Sequence, residues 1–121
     1  MQMIIKTLLS AIVLVVLDTM YLNLVKDYFS KQVQLVQNSP MKVDITAAAL
    51  CYIFIIFGLN TFVIQRNKSA NEAFLLGIVI YAIFELTNKA LFNKWSYMTV
   101  VMDTLWGGVL FWLTTKIVGY L

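Results

Sequence analysis

The sequence predicts an all-α membrane protein with four transmembrane helices in an up-down-up-down bundle. Three observations lead there. Hydrophobic residues make up 61% of the 121 residues, against roughly 45–50% in soluble domains. Charged residues make up 12%, against roughly 25% in soluble domains, too few to cover the large relative surface of so small a chain in water. The apolar residues also gather into four runs, each near the roughly 20 residues that a helix needs to cross about 30 Å of hydrocarbon. Helices follow because an unclosed set of strands would leave backbone groups unpaired in lipid. At this length the chain is a single transmembrane domain, 1–121.

The first run covers about 4–25. Lys6 before an apolar stretch has the look of a signal peptide, but there is no small-x-small cleavage site and Asp18 falls where one would be, so an uncleaved span is expected. The connection that follows, about 26–43, places Phe29, Val33 and Val36 at helical spacing with Lys31, Gln34 and Gln37 between them. Two forms suit that pattern: a short amphipathic helix lying in the headgroup region, or a straight extension of the first span. Asn38-Ser39-Pro40 breaks the chain, and either Ser39 or Asp44 can cap the second span, about 45–64. A tight link, 65–72, leads to the third span, about 73–92. The pattern Asn67-Lys68-Ser69 lies in that link, where the turn is too tight for a glycosylation site. Asn93-Lys94-Trp95-Ser96-Tyr97 leads to the fourth span, about 98–119, with Trp95 and Tyr97 read as interfacial aromatics. Short links make sequential helices antiparallel neighbours and put both termini on one side. Lys6, Arg66, Lys68 and Lys116 lie on that side, and Lys26, Lys31, Lys42, Lys89 and Lys94 on the other. With no bias between the sides, the positive-inside rule does not orient the chain.

Composition also excludes functions. The net charge of +3 comes from bases set singly at segment ends, not from a basic stripe with interleaved aromatics, so no nucleic-acid partner is expected. Histidine is absent and Cys51 is the only cysteine. His/Cys zinc sites, His-held haem, Fe–S clusters, intrachain disulfides and His-based triads are therefore out of reach. No cofactor, metal or catalytic residue is expected, and Cys51, in an apolar run, reads as an inert packing residue.

Three acids stand inside the spans: Asp18, Glu85 and Asp103. A charged side chain at the bilayer centre costs roughly 2.5–3.5 kcal/mol on insertion scales. At 1.5 Å per residue, Asp18 lies about 11–12 Å before Lys26, Glu85 about 13 Å before Lys94, and Asp103 about 13 Å after it. Spans one and three run one way and span four returns, so the three carboxyls arrive at one depth from three helices. Asn88 shares the face of Glu85, and Lys89, four residues on, is placed to neutralise Glu85 or to reach Asp103. The contexts Asp18-Thr19-Met20-Tyr21 and Asp103-Thr104-Leu105-Trp106 are alike, which reads as parallel chemistry and not as a repeat. One reading of the cluster is a proton, ion or polar-ligand site, since buried carboxyls can take up and release protons. The other is helix glue, with Tyr21, Trp106, Thr87 and Asn88 as hydrogen-bond partners. Gly107 and Gly108, and the Ala73/Gly77 pair, are suited to close helix contact.

Asp18-x-x-Tyr21-Leu22, Tyr81-x-x-Phe84-Glu85-Leu86-Thr87-Asn88 and Asp103-x-x-Trp106-Gly107, together with Trp95, resemble the integral membrane proteins grouped as domain of unknown function 2177. The resemblance runs over nearly the whole chain. It implies a four-span membrane protein with relatives in bacteria and in large DNA viruses, and it implies no established activity. The family usually has Asp where this chain has Glu85, often Trp in place of Tyr21, and an apolar residue in place of Lys89.

The expected function is a non-enzymatic structural or assembly component of a cellular membrane or of the inner membrane of a virion. Its partners would be the lipid bilayer, further copies of itself, or neighbouring membrane or capsid proteins. The alternative is a small oligomeric permeation protein for protons, ions or polar solutes that uses Asp18, Glu85 and Asp103. An intramembrane enzyme acting on lipid has only the acids in its favour.

Overall fold

The structure, a computed structural model, describes residues 2–121. In chain order it contains α1 (Gln2–Gln37), α2 (Ile45–Leu59) running into a π-helical turn (Asn60–Ile64), α3 (Ala70–Leu91) and α4 (Tyr97–Tyr120). Four helices among the described residues are long and apolar enough to cross a membrane, and no strand accompanies them. Their outer faces carry large apolar side chains such as Ile12, Phe54, Leu75 and Leu105, more than half exposed, as lipid contact requires.

The headgroup helix considered for the first connection does not form as a separate element. α1 runs unbroken for 36 residues, about 54 Å at 1.5 Å per residue, far beyond the hydrocarbon thickness of about 30 Å. Between Lys26 and Gln37 there is no glycine or proline to interrupt the backbone ladder. The extension is also held from the side. Gln32 accepts from the Ser96 backbone N–H and the Thr99 hydroxyl, both at 2.7 Å, and donates to the Lys94 carbonyl at 3.0 Å. Tyr28 bonds Thr99 at 2.9 Å. The helix ends at Asn38, whose φ of 58° and N–H to Gln34 carbonyl bond of 2.9 Å form a left-handed C-cap.

Each later helix starts on a side-chain cap. Asp44 accepts from the Ala47 N–H at 3.1 Å, Ser69 from Glu72 at 3.2 Å and Ser96 from Thr99 at 3.1 Å. Of the two candidates for α2 the cap is Asp44, and Gln37 reaches over the carbonyls of Ser39 and Pro40. The second span covers the expected residues, but its final turn widens, with the Gln65 N–H bonding the Asn60 carbonyl five residues back at 2.8 Å.

Cross-helix partners run in opposite directions along α1 and α2 (Ser10 with Asn60, Asp18 with Tyr52) and along α1 and α4 (Asp18 with Trp106, Tyr21 with Asp103, Gln32 with Ser96). The tightest pair is α3 with α4. A Cβ on Gly77 would lie 2.2 Å from the Gly107 carbonyl oxygen, and one on Gly107 would lie 2.3 Å from the Tyr81 ring. Ala73 is fully buried on the same face as Gly77. α2 and α3, by contrast, are less closely packed, and a cavity opens between Cys51 and Ile55 of α2 and Ile80 and Phe84 of α3.

Leu14, Leu59, Leu110 and Phe111 are fully buried and form an apolar layer across the bundle. It separates two polar levels. On the side of the termini the Asn60 amide donates to the Ser10 hydroxyl at 2.8 Å and the Thr7 hydroxyl to the Asn60 carbonyl at 3.4 Å. On the other side lie the acids.

Candidate functional site: an intramembrane carboxyl cluster

Asp18 and Tyr21 lie one turn apart on α1, as do Asp103 and Trp106 on α4, so each pair shares a helix face. Because the two helices run antiparallel, the pairs meet crosswise. The Trp106 indole donates to Asp18 Oδ1 at 2.9 Å, and the Tyr21 hydroxyl donates to Asp103 Oδ1 at 3.4 Å. The two donor rings stack on each other, with centroids 4.5 Å apart and planes 6° from parallel. Asp18 Oδ2 accepts a second bond from the Tyr52 hydroxyl of α2. The likeness of the two sequence contexts is thus a reciprocal clasp between α1 and α4.

Glu85 comes from α3 and is fully buried. Its Oε1 accepts from the Trp95 indole at 2.7 Å, while its Oε2 is buried without a hydrogen-bond donor. Glu85 and Asp103 line the same cavity. Asp18 and Asp103 are each 8% exposed. All three acids line one cavity of ≈ 420 Å³ whose remaining wall is almost wholly apolar, with Ile55, Tyr81 and Phe84 among its side chains.

Several expected partners lie elsewhere. Lys89 neutralises neither Glu85 nor Asp103: its ammonium donates to the Asn93 carbonyl at 3.1 Å and sits 5.1 Å from the Tyr97 ring centroid. The reason is its long stem, which carries the charge outward to the helix end and away from an apolar interior. Thr87 is exposed and bonds its own helix at the Ile83 carbonyl, 2.6 Å away. The Asn88 side chain makes no hydrogen bond to the acids, and its backbone carbonyl accepts from Phe92 at 2.8 Å. Trp95, expected at the interface, is 7% exposed and serves Glu85. Cys51, expected as a packing residue, is exposed on α2 and lines the cavity mouth. Gly107 does not touch the acids either; it gives Tyr81 room to lie flat on α4, and that ring forms one wall of the cavity.

Two features escape a sequence reading centred on charge. Tyr52 is an ordinary aromatic in an apolar run, and nothing in its neighbours marks it as a donor to Asp18. Asn60 carries a usable signal, since it is the one carboxamide inside the second span. It is 2% exposed and begins the π-helical turn, a distortion frequently found at functional positions. Among the described residues no group of three or more His, Cys, Asp or Glu is arranged to hold a metal ion.

The arrangement therefore offers three acids, neutral aromatic donors and no cationic side chain within hydrogen-bonding distance, inside a bundle that spans a membrane. No curated protein matches the sequence. No solved structure matches it either. Residues 3–121 match the family described as predicted membrane protein, DUF2177, and with the four apolar helices and the acid motifs in view, the chain belongs to that family of membrane proteins.

Proposed function

We propose that the protein is a non-enzymatic membrane protein that binds and passes protons or small cations through its carboxyl cluster. The observation that carries this reading is the unmatched charge of the cavity. Asp18, Glu85 and Asp103 share one chamber, no Lys or Arg donates to them, and Glu85 Oε2 has no donor at all. A cluster built only to hold helices together would pair every buried acceptor, because an unsatisfied one costs roughly 1–3 kcal/mol or more when charged. The apolar layer of Leu14, Leu59, Leu110 and Phe111 closes the path toward the termini, so the chain works as a one-sided binding site that must rearrange to pass its cargo, and not as an open pore. Assembly of several copies fits its small size.

In liposomes carrying a pH-sensitive dye and an imposed pH gradient, wild-type protein is expected to dissipate the gradient, and Asp103→Asn to lower that rate at least tenfold. Wild-type vesicles no leakier than protein-free ones would overturn the proposal. A structural or assembly role, in a cellular membrane or beneath a viral capsid, is the second reading. Its support is that each acid also accepts from an aromatic donor on another element. Absent flux combined with loss of thermal stability in Asp18→Asn and Asp103→Asn would favour it.

A further inference from the structure

The carboxyl chamber has a side door. Its walls include Cys51 and Ile55 of α2 and Ile80 and Phe84 of α3, and it opens along the seam between these two helices. Cys51 and Phe84 are exposed on the outer surface of the same helices. That surface lies within the apolar spans, so this side of the chamber adjoins lipid, while Phe29 and Val33, beyond the first span, carry its wall toward the headgroup level. The chamber's ≈ 420 Å³ falls within the roughly 300–1,000 Å³ usual for small-molecule sites, which combine apolar walls with a few placed polar groups. Its polar groups are of one kind. Asp18 and Asp103 have their donors, whereas Glu85, fully buried among the lining residues, has an Oε2 with none. An incoming group that satisfies it must bring a positive charge or a hydrogen-bond donor.

Building on the cation-handling reading above, we propose that the chamber binds a lipophilic organic cation, an apolar body carrying a single positive centre, admitted from the bilayer through the α2–α3 seam. The apolar body lies against Ile55, Ile80 and Phe84, and the positive centre lies beside Glu85 and Asp103. Tyr81 and Trp95 line the same chamber, and aromatic faces attract desolvated cations. A small inorganic cation has no use for the apolar wall, and a neutral lipid tail has none for the carboxyls. Only a molecule with both characters uses the whole chamber.

The test uses the full chain in lipid nanodiscs, with tetraphenylphosphonium and tetraphenylborate as probes of equal shape and opposite charge. Tetraphenylphosphonium is expected to bind saturably above its partition into protein-free nanodiscs, to change the fluorescence of the indoles beside the acids, and to slow maleimide labelling of Cys51, the chain's single cysteine. Tetraphenylborate is expected to do none of these. Glu85→Gln is expected to weaken phosphonium binding at least tenfold. Cys51→Trp, which fills the mouth and leaves every carboxyl in place, is expected to do the same, so the idea remains testable should the Glu85 variant fail to fold. Equal binding of the two probes, or phosphonium binding that survives Cys51→Trp, would overturn the proposal. Proton flux in vesicles without phosphonium binding would overturn it too, while leaving the cation-handling function standing; absence of both would remove both.

Discussion

Glu85 and Trp95 set the chemistry at the scale of single residues. The indole is the only donor to the buried Glu85 carboxyl, at 2.7 Å, whereas Asp18 has two donors, Trp106 and Tyr52. Hydrogen bonds to charged groups contribute about 1.5–3 kcal/mol, and an acceptor left unpaired costs its full desolvation. Trp95→Phe is therefore expected to destabilise the protein by about 2–3 kcal/mol and Trp106→Phe by about 1 kcal/mol or less beyond its packing loss. Thermal unfolding of both in the same detergent, with Trp112→Phe on the exposed Asn71 contact as reference, checks the order; equal losses would contradict it. That the acids belong together was legible from their depths alone, because the helical rise converts residue spacing into height. Their partners were not. Lys89 has the right spacing to reach Glu85, but spacing on a helix does not say whether a long side chain turns inward or toward water. Trp95 sits ten residues from Glu85 across a turn, and no periodicity describes how a turn folds back.

At the scale of elements the molecule is uneven. α3 and α4 are pressed together through Gly77 and Gly107, while the carboxyl cavity opens between α2 and α3. Adding a methyl where the nearest backbone atom would be 2.2 Å away forces the helices apart, and overpacking of this kind costs typically 1–3 kcal/mol. Gly77→Ala and Gly107→Ala are expected to lower the unfolding temperature clearly. Gly58→Ala, with nothing within 4 Å of its added carbon, is expected to be neutral or to gain up to about 1 kcal/mol from the reduced freedom of the unfolded chain. Unfolding of the three variants side by side tests this, and a harmless Gly107→Ala would mean that the helices are farther apart than described. The existence and length of the spans could be read from hydropathy, since lipid allows little else. The fate of 26–37 could not, because amphipathic spacing is the same for a helix lying on a membrane and for one docked on a turn. The Gln32 side chain decides between them, through bonds to residues 62 to 67 positions away.

The whole molecule stacks a carboxyl chamber, an apolar layer and a carboxamide–hydroxyl level along the bundle. Phe111, fully buried in the middle layer and edge-on to Tyr81 with centroids 6.3 Å apart, lies between the outer two. Phe111→Ala is expected to cost about 3–5 kcal/mol of stability and to raise proton leakage through reconstituted vesicles several-fold over wild type. Leakage that stays at the wild-type level would show that the layer is not what holds water back. The crossed bonds between α1 and α4 carry one more implication. Should these helices slide past each other by three residues, about 4.5 Å, Asp18 would stand opposite Asp103 and both aromatic donors would lose their acceptors. Two like charges would then confront each other away from water, so axial slippage by a turn is punished twice over. The alignment of the N-terminal and C-terminal spans is consequently self-correcting: it has one comfortable setting, and the neighbouring one repels.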